Sequence, residues 1–348
     1  MTLTRGCRET EAFRASHEYI TLMKTYQIAN TPLKATRIAY GCMGIGGGWA
    51  PGPISGQTRK EALVSVGAAL DQGINFFDHA DIYGRGRCEE AFSGIWKERP
   101  GLRSRIILQT KCGIRFKNDP AEGAPQRYDF SRRYIVDSVE GSLGRLNTDY
   151  VDILLLHRPD ALVEPEEVAR AFDDLFAAGK VRYFGVSNHS ARQIELLQKW
   201  VSKPLVVNQL ELNLVHNQLI NAGVVVNQDE PARPVHGEGT LEYCRLHGIT
   251  VQAWSPVAHG RLSPPALEKA DERMRGAAAA AGELASKKGV TMEAILVAWL
   301  LRHPAGIQPI IGTTKPERIK EACTADGIEL TREEWYGLLT AGRGSSVA

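Results

Sequence analysis

Asp78 ends an apolar run through Ile74, Phe76 and Phe77, and Tyr83 follows it by five positions, ahead of a turn carrying Gly84 and Gly86. A carboxylate and a phenol beside the end of a buried strand can move a proton. A strand-end aspartate also caps helices, however, and a loop tyrosine also fills gaps, so this stretch alone does not decide the matter. The rest of the chain repeats the pattern. Lys111 closes the apolar run that starts at Arg105, and His157 closes Ile153-Leu154-Leu155-Leu156. Ser187 and Asn188 follow Gly185-Val186, Gln209 lies in Leu205-Val206-Val207-Asn208-Gln209, and Ser255 follows Ala253-Trp254. A phenol with a pKa of about 10 is a poor acid near neutrality. A lysine ammonium beside it favours the phenolate, and a carboxylate beyond the lysine holds the ammonium charged and in place. A histidine facing the same point can hydrogen-bond a substrate oxygen. Such a set can protonate the oxygen of a carbonyl group while hydride reaches its carbon.

These residues need elements that bring them together. Residues 26–38 read as a short hairpin turning near Asn30-Thr31-Pro32, and the first strand of a longer series runs over 36–43 into the cluster Gly44 to Gly48. Apolar runs ending at Asp78, Lys111, His157, Val186, Glu211, Ser255 and Gly312 complete eight strands. Amphipathic stretches lie between them: 58–70 with Gly73 as its stop, 89–96, 131–146, 165–178 with Gly179 as its stop, 191–200, 241–247, and 275–288 with 291–302. Two more helices, 316–324 and 332–339, follow the last strand. Strand–helix alternation of this kind predicts a parallel sheet, and the count and length favour a closed (β/α)8 TIM barrel with an N-terminal hairpin and extra C-terminal helices. An open doubly wound sheet is the competing arrangement. In a barrel the C-terminal strand ends converge on one mouth, which is where Asp78, Lys111, His157, Ser187, Asn188, Gln209 and Ser255 all lie.

With 43% hydrophobic and 24% charged residues in a chain of 348, the composition is that of an ordinary globular protein. A net charge of +2 gives no reason to expect a nucleic-acid partner. No run approaches the roughly 18 apolar residues of a membrane span. The six cysteines show no C-x-x-C and no pairing with histidine, so they read as reduced thiols and the chain as cytoplasmic. Residues 1–22 carry acids and no apolar core, which predicts a tail ahead of one domain over 23–348. The stretch 213–237 reads as a long loop with Pro231 and Pro234.

Further residues suit a nucleotide. Trp254 offers a flat face for a nicotinamide ring or a substrate, and Ser187, Asn188 and Gln209 carry groups suited to a carboxamide. Gly312, Thr313, Lys315 and Arg318 combine backbone donors, a hydroxyl and two cations at a helix N-terminus, which suits phosphate. A Rossmann dehydrogenase is excluded by its own fingerprint, since no register of the glycines supplies G-x-G-x-x-G. The nine histidines form no H-x-H and no H-E-x-x-H, so no metal is expected.

The motifs Asp78-His79-Ala80-Asp81-Ile82-Tyr83-Gly84, Lys111-Cys112-Gly113, His157-Arg158-Pro159, Gly185-Val186-Ser187-Asn188, Asn208-Gln209, Trp254-Ser255-Pro256 and Ile310-Ile311-Gly312 resemble those of the aldo-keto reductases. The match runs in order from about residue 26 to 340 and is nearest to the bacterial branch with Asp-His-Ala-Asp-Ile-Tyr-Gly at its catalytic turn. The resemblance implies reduction of an aldehyde or ketone by hydride transfer, with Tyr83 as acid, a Lys111–Asp78 pair tuning it and His157 at the carbonyl. It implies NADPH bound without a Rossmann domain, and Arg318 and Glu321 at the adenosine end. His79 replaces the family's common Ser or Thr, Ala322 a common Asn, and Thr314 a common basic residue. The alternative within the same resemblance is a nucleotide-bound regulatory barrel with little turnover.

Overall fold

The computed structural model describes residues 23–226, 237 and 239–347. The expected tail over 1–22 lies outside the described residues, as does most of the second half of the expected loop. Strands β1 (Thr25–Gln27) and β2 (Lys34–Thr36) form the antiparallel hairpin, with Tyr26 opposite Ala35. The remaining strands are β3 (Ala39–Gly41), β4 (Phe76–Asp78), β5 (Ile107–Cys112), β6 (Ile114–Arg115), β7 (Arg127–Tyr128) and β8 (Val151–Leu156). They continue as β9 (Val181–Ser187), β10 (Leu205–Glu211), β11 (Thr250–Trp254) and β12 (Gln308–Ile311). Eight of them close a barrel in the order β3-β4-β5-β8-β9-β10-β11-β12, with β12 pairing back onto β3. Every barrel pairing is parallel.

Two apolar layers hold this arrangement. β8 reads Val-Asp-Ile-Leu-Leu-Leu and is buried at every position, because helices cover one face and the barrel interior takes the other. Inside the barrel, Phe76, Ile107, Ile153, Leu155, Val207 and Ile310 form one cluster. Ile28 and Ala35 of the hairpin join that cluster, so the hairpin stoppers the N-terminal end of the barrel. Register then sets the level of the polar groups. Asp78 pairs with Gly41 on one side and Gln109 on the other, and Gln209 pairs with Ser187 and Gln252.

Local chemistry moved several expected boundaries. The helix Gly56–Asp71 starts ahead of Thr58, because the Ser55 hydroxyl accepts the Thr58 N–H and acts as the cap. The helix expected over 89–96 is two pieces, Arg87–Ser93 and Ile95–Glu98, divided at Gly94. The polar stretch 115–129 carries the small hairpin β6–β7, and the long loop after β10 contains the helix Gln218–Val224. Neither had a period long enough to read.

The C-terminal helix Arg332–Arg343 seals the loop after β10 through a close backbone approach. A Cβ at Gly342 would stand 2.1 Å from the Leu214 carbonyl oxygen, and Arg273 donates to both Val215 O and Gly342 O. Gly342→Ala is therefore expected to destabilise the fold by about 1–3 kcal/mol through overpacking. Urea unfolding measures this, and an unchanged midpoint would contradict it.

Candidate active site

Lys111 occupies β5 two residues after Gln109, so both side chains point into the barrel. Its ammonium has no solvent exposure and spends all three protons. It donates to Asp78 Oδ2 at 2.7 Å, to the His79 carbonyl at 2.8 Å and to the Tyr83 hydroxyl at 3.0 Å. Asp78 ends β4, and its other oxygen accepts from Gln109 at 2.6 Å and Gln209 at 3.0 Å. Tyr83 enters the turn after β4, where Gly84, Arg85 and Gly86 take positive φ angles of 56°, 60° and 87°. That reversal returns the phenol over the barrel mouth; its backbone N–H donates to Ala80 O. His157, just past β8, sets its ring edge-on to the Tyr83 ring with 5.8 Å between centroids.

Electrostatics assign protonation states. For Lys111, burial pulls the ammonium pKa down, but Asp78 and Tyr83 outweigh it and the net direction is up. For Tyr83, burial raises the phenol pKa, Lys111 lowers it, and burial wins. This corrects the expectation that the lysine brings the phenol below its ordinary value. The site holds a protonated phenol with an ammonium ready to stabilise the oxygen once the proton leaves. Burial, then Lys111 and Arg158, push His157 well below the ordinary imidazole range, so it is neutral and can donate one N–H. His79 is enclosed beside Phe92, 4.7 Å between ring centroids, and burial followed by Lys111 lowers it to about 3. It too is neutral.

A cavity of about 610 Å3 opens above this set. Asp78, Tyr83, His157, Ser187, Asn188, Gln209, Trp254, Ser255, Gly312, Thr313 and Arg318 all line it. Lys111 lies beneath the wall and acts through its contacts. Lys315 and Glu321 do not line it: Lys315 is exposed at the start of the helix Pro316–Cys323, and Glu321 stands on that helix beyond the wall. Sequence reasoning missed Met43, Trp49, Arg158, His259 and Glu293, which also line the cavity. Arg158 was visible only as the neighbour of His157; its guanidinium lies 5.6 Å from the Trp254 ring centroid.

One end of the cavity is organised for a planar amide. Asn188, at φ 61°, donates to Ser187 Oγ at 2.8 Å, and its own oxygen accepts the Trp254 indole N–H at 3.2 Å. The Gln209 amide nitrogen is committed to Asp78 and Gln252, so its carbonyl oxygen is the group left for the cavity. Strained backbone follows at Ser255, Ala258 and His259, with φ angles of 54°, 54° and 55°. Thr313 and Arg318 also line the wall. A cavity wall that carries amide groups at Asn188 and Gln209 together with the Arg318 guanidinium suits a nicotinamide dinucleotide.

A profile of the Aldo/keto reductase family matches residues 37–338, which span the whole barrel. The chain belongs to the aldo/keto reductase family. Among relatives of this reductase, the Bacillus subtilis protein named uncharacterized oxidoreductase YcsN is 40% identical, over 82% of this chain and 90% of its own. A 6-dehydroglucose reductase of Agrobacterium fabrum is 37% identical, over 91% and 97% respectively. Among solved structures, the glycerol dehydrogenase AKR11B4 of Gluconobacter oxydans superposes with a TM-score of 0.74 at 26% identity, covering 91% of this chain and 94% of its own. The thermostable aldo-keto reductase Tm1743 gives 0.71 at 25% identity, covering 92% and 100%. Aldo/keto reductases use nicotinamide cofactors on small carbonyl substrates, and this chain is an oxidoreductase of that kind. No helix among the described residues is long and apolar enough to cross a membrane, and no described cluster of three or more His, Cys, Asp or Glu could hold a metal.

Proposed function

We propose that this reductase works with NADPH and that Tyr83 gives its phenolic proton to the substrate oxygen. The observation that carries the reading is the single buried ammonium touching both Asp78 and the Tyr83 hydroxyl, at 2.7 and 3.0 Å. When bound, the reduced nicotinamide supplies the hydride. Neutral His157 donates to the carbonyl oxygen and orients it toward the phenol. Lys111 stabilises the oxygen that Tyr83 leaves behind, and Asp78 keeps the ammonium in place. Asn188, Ser187 and the Gln209 carbonyl hold the carboxamide, Trp254 packs against the ring, and Ser255, Gly312 and Thr313 line the path to the phosphates. Lys315 and Glu321 flank the adenosine end from outside the cavity wall.

Turnover of a simple aromatic aldehyde with NADPH tests the reading, and failure to oxidise NADPH with any aldehyde or ketone would end it. Two relatives are named 6-dehydroglucose reductase, so a polyhydroxylated aldehyde is the substrate class to test next. A barrel serving only as a nucleotide-bound partner would have no use for the Asp78–Lys111–Tyr83 contacts.

Arg318 is the cation that reaches the cavity at the phosphate end. A charge-assisted hydrogen bond contributes roughly 1.5–3 kcal/mol, so Arg318→Ala is expected to weaken NADPH about 10- to 150-fold and NADH much less. Fluorescence-quenching titrations of both cofactors measure the contrast. Equal losses would mean that Arg318 holds the adenine instead of the 2′-phosphate.

A further inference from the structure

We infer that Gln109 and Gln252 are positioning residues for proton transfer, acting through the carboxylate of Asp78. Below the catalytic groups, four buried glutamines cross the barrel: Gln109 on β5, Gln209 on β10, Gln252 on β11 and Gln308 on β12. Gln109 donates one amide proton to Asp78 Oδ1 at 2.6 Å and the other to Gln252 Oε1 at 2.8 Å. Gln209 does the same at 3.0 and 3.0 Å. Gln252 passes its own amide proton to Gln308 Oε1 at 2.9 Å, and Gln308 donates to the Thr36 carbonyl at 2.8 Å. Acceptors that cannot donate stand at both ends, a carboxylate above and a backbone carbonyl below. The direction of every amide between them is therefore fixed.

Packing alone does not account for this arrangement. The Gln109 carbonyl oxygen is buried with no protein partner, and an apolar side chain of the same size fills such a space without that cost. What the polar side chain supplies is a donor to the one carboxylate oxygen that Lys111 leaves open. Asp78 then receives three donors from two strands, Gln109 and Lys111 on β5 and Gln209 on β10, so its position under Lys111 is over-determined. The inference rests on Tyr83 being the proton donor, because the effect of Asp78 reaches substrate only through Lys111 and that phenol.

Other charged or titratable groups also face the phenol and its carboxylate partner. Cys42 stands beyond β3, Cys88 comes from the helix after β4, Lys111 from β5 and His157 from just past β8, while Asp81, in the turn after β4, acts on Lys111. Burial pushes the Cys42 thiol far up and the Cys88 thiol to about 11, while His157 is held neutral. Asp81, raised to about 8 by burial and then by Glu89, titrates near neutrality, so every profile is repeated in an Asp81→Asn background.

The test is kcat, KM and NADPH affinity for Gln109→Leu and Gln109→Glu between about pH 5.5 and 9, beside thermal melting. Gln109→Leu is expected to lower kcat about tenfold with KM and NADPH affinity within about twofold. Gln109→Glu sets a second carboxyl against Asp78, which can donate only when protonated. Its activity is expected to be lowest at alkaline pH and to recover as pH falls toward about 6, where the shared proton restores the missing bond. A merely structural glutamine would lower the melting temperature and leave the shape of the profile unchanged. Folded Gln109→Leu with wild-type kcat, or Gln109→Glu with a wild-type profile, overturns the inference. If Gln109→Leu fails to fold, Gln252→Leu removes the acceptor that orients both donors; wild-type kcat there overturns it equally. Absence of activity in the unsubstituted protein instead refutes the proposed reaction.

Discussion

Tyr83→Phe is expected to lower kcat for carbonyl reduction by about 10²–10⁴-fold, the usual worth of positioned acid–base catalysis, while NADPH affinity stays near wild type. Only the phenolic oxygen and its proton are removed; the ring keeps its edge-on contact with His157. The pH dependence sharpens the expectation. Reduction needs the protonated phenol, so it is fully present below the phenol pKa and lost as pH rises through it. Burial, partly opposed by Lys111, places that pKa above the ordinary tyrosine value. The reductive rate is therefore expected to be insensitive to phenol ionisation near neutrality and to fall only on the strongly alkaline side. Tyr83→Phe is expected to lose that alkaline limb along with the rate. Steady-state rates with NADPH and one aldehyde across the pH range decide it. A variant that reduces the aldehyde at close to the wild-type rate removes Tyr83 from the mechanism.

Much of this was legible because a parallel barrel writes itself as apolar runs with polar residues at one end. β8 is the clearest case: six buried residues followed at once by His157. The same logic placed Asp78, Lys111, Ser187, Asn188 and Gln209 at one mouth, since register in a closed barrel leaves strand ends nowhere else to go. Depth was not legible. Spacing shows that Lys111 closes a strand but not that its ammonium is fully enclosed, and so it misjudged which effect dominates at Tyr83. The roles of Gln109 and Gln252 were not legible, because the sequence does not show that β5 and β11 face one another across the interior. Lys315 fell outside the cavity wall because the helix after β12 turns that side chain to solvent. His259 was unreadable for a different reason: its φ of 55° is a conformation that nothing in a histidine announces.

Lys111→Met carries the other large effect, and it is expected to equal or exceed that of Tyr83→Phe. The substitution fills the same channel with an uncharged chain and removes the donor to the Tyr83 hydroxyl. It also removes one of the three donors to Asp78, leaving only the amides of Gln109 and Gln209. At Tyr83 the group that lowers the phenol pKa disappears while burial and the Asp78 charge, which raise it, persist. The phenol becomes a weaker acid, and the oxygen left after proton transfer loses its counter-charge, so kcat is expected to fall by about 10²–10⁴-fold or more. His157 loses one of the two cations that suppress its protonation, the other being Arg158. Breaking a buried ion pair costs about 3–5 kcal/mol, so circular dichroism and NADPH titration must first show that the variant is folded and binds cofactor. The decisive measurement is then the pH–rate profile. A folded, cofactor-binding Lys111→Met protein that kept both the rate and the alkaline limb would make Lys111 a bystander, and the contacts joining Asp78 to Tyr83 would have no part in the proton transfer.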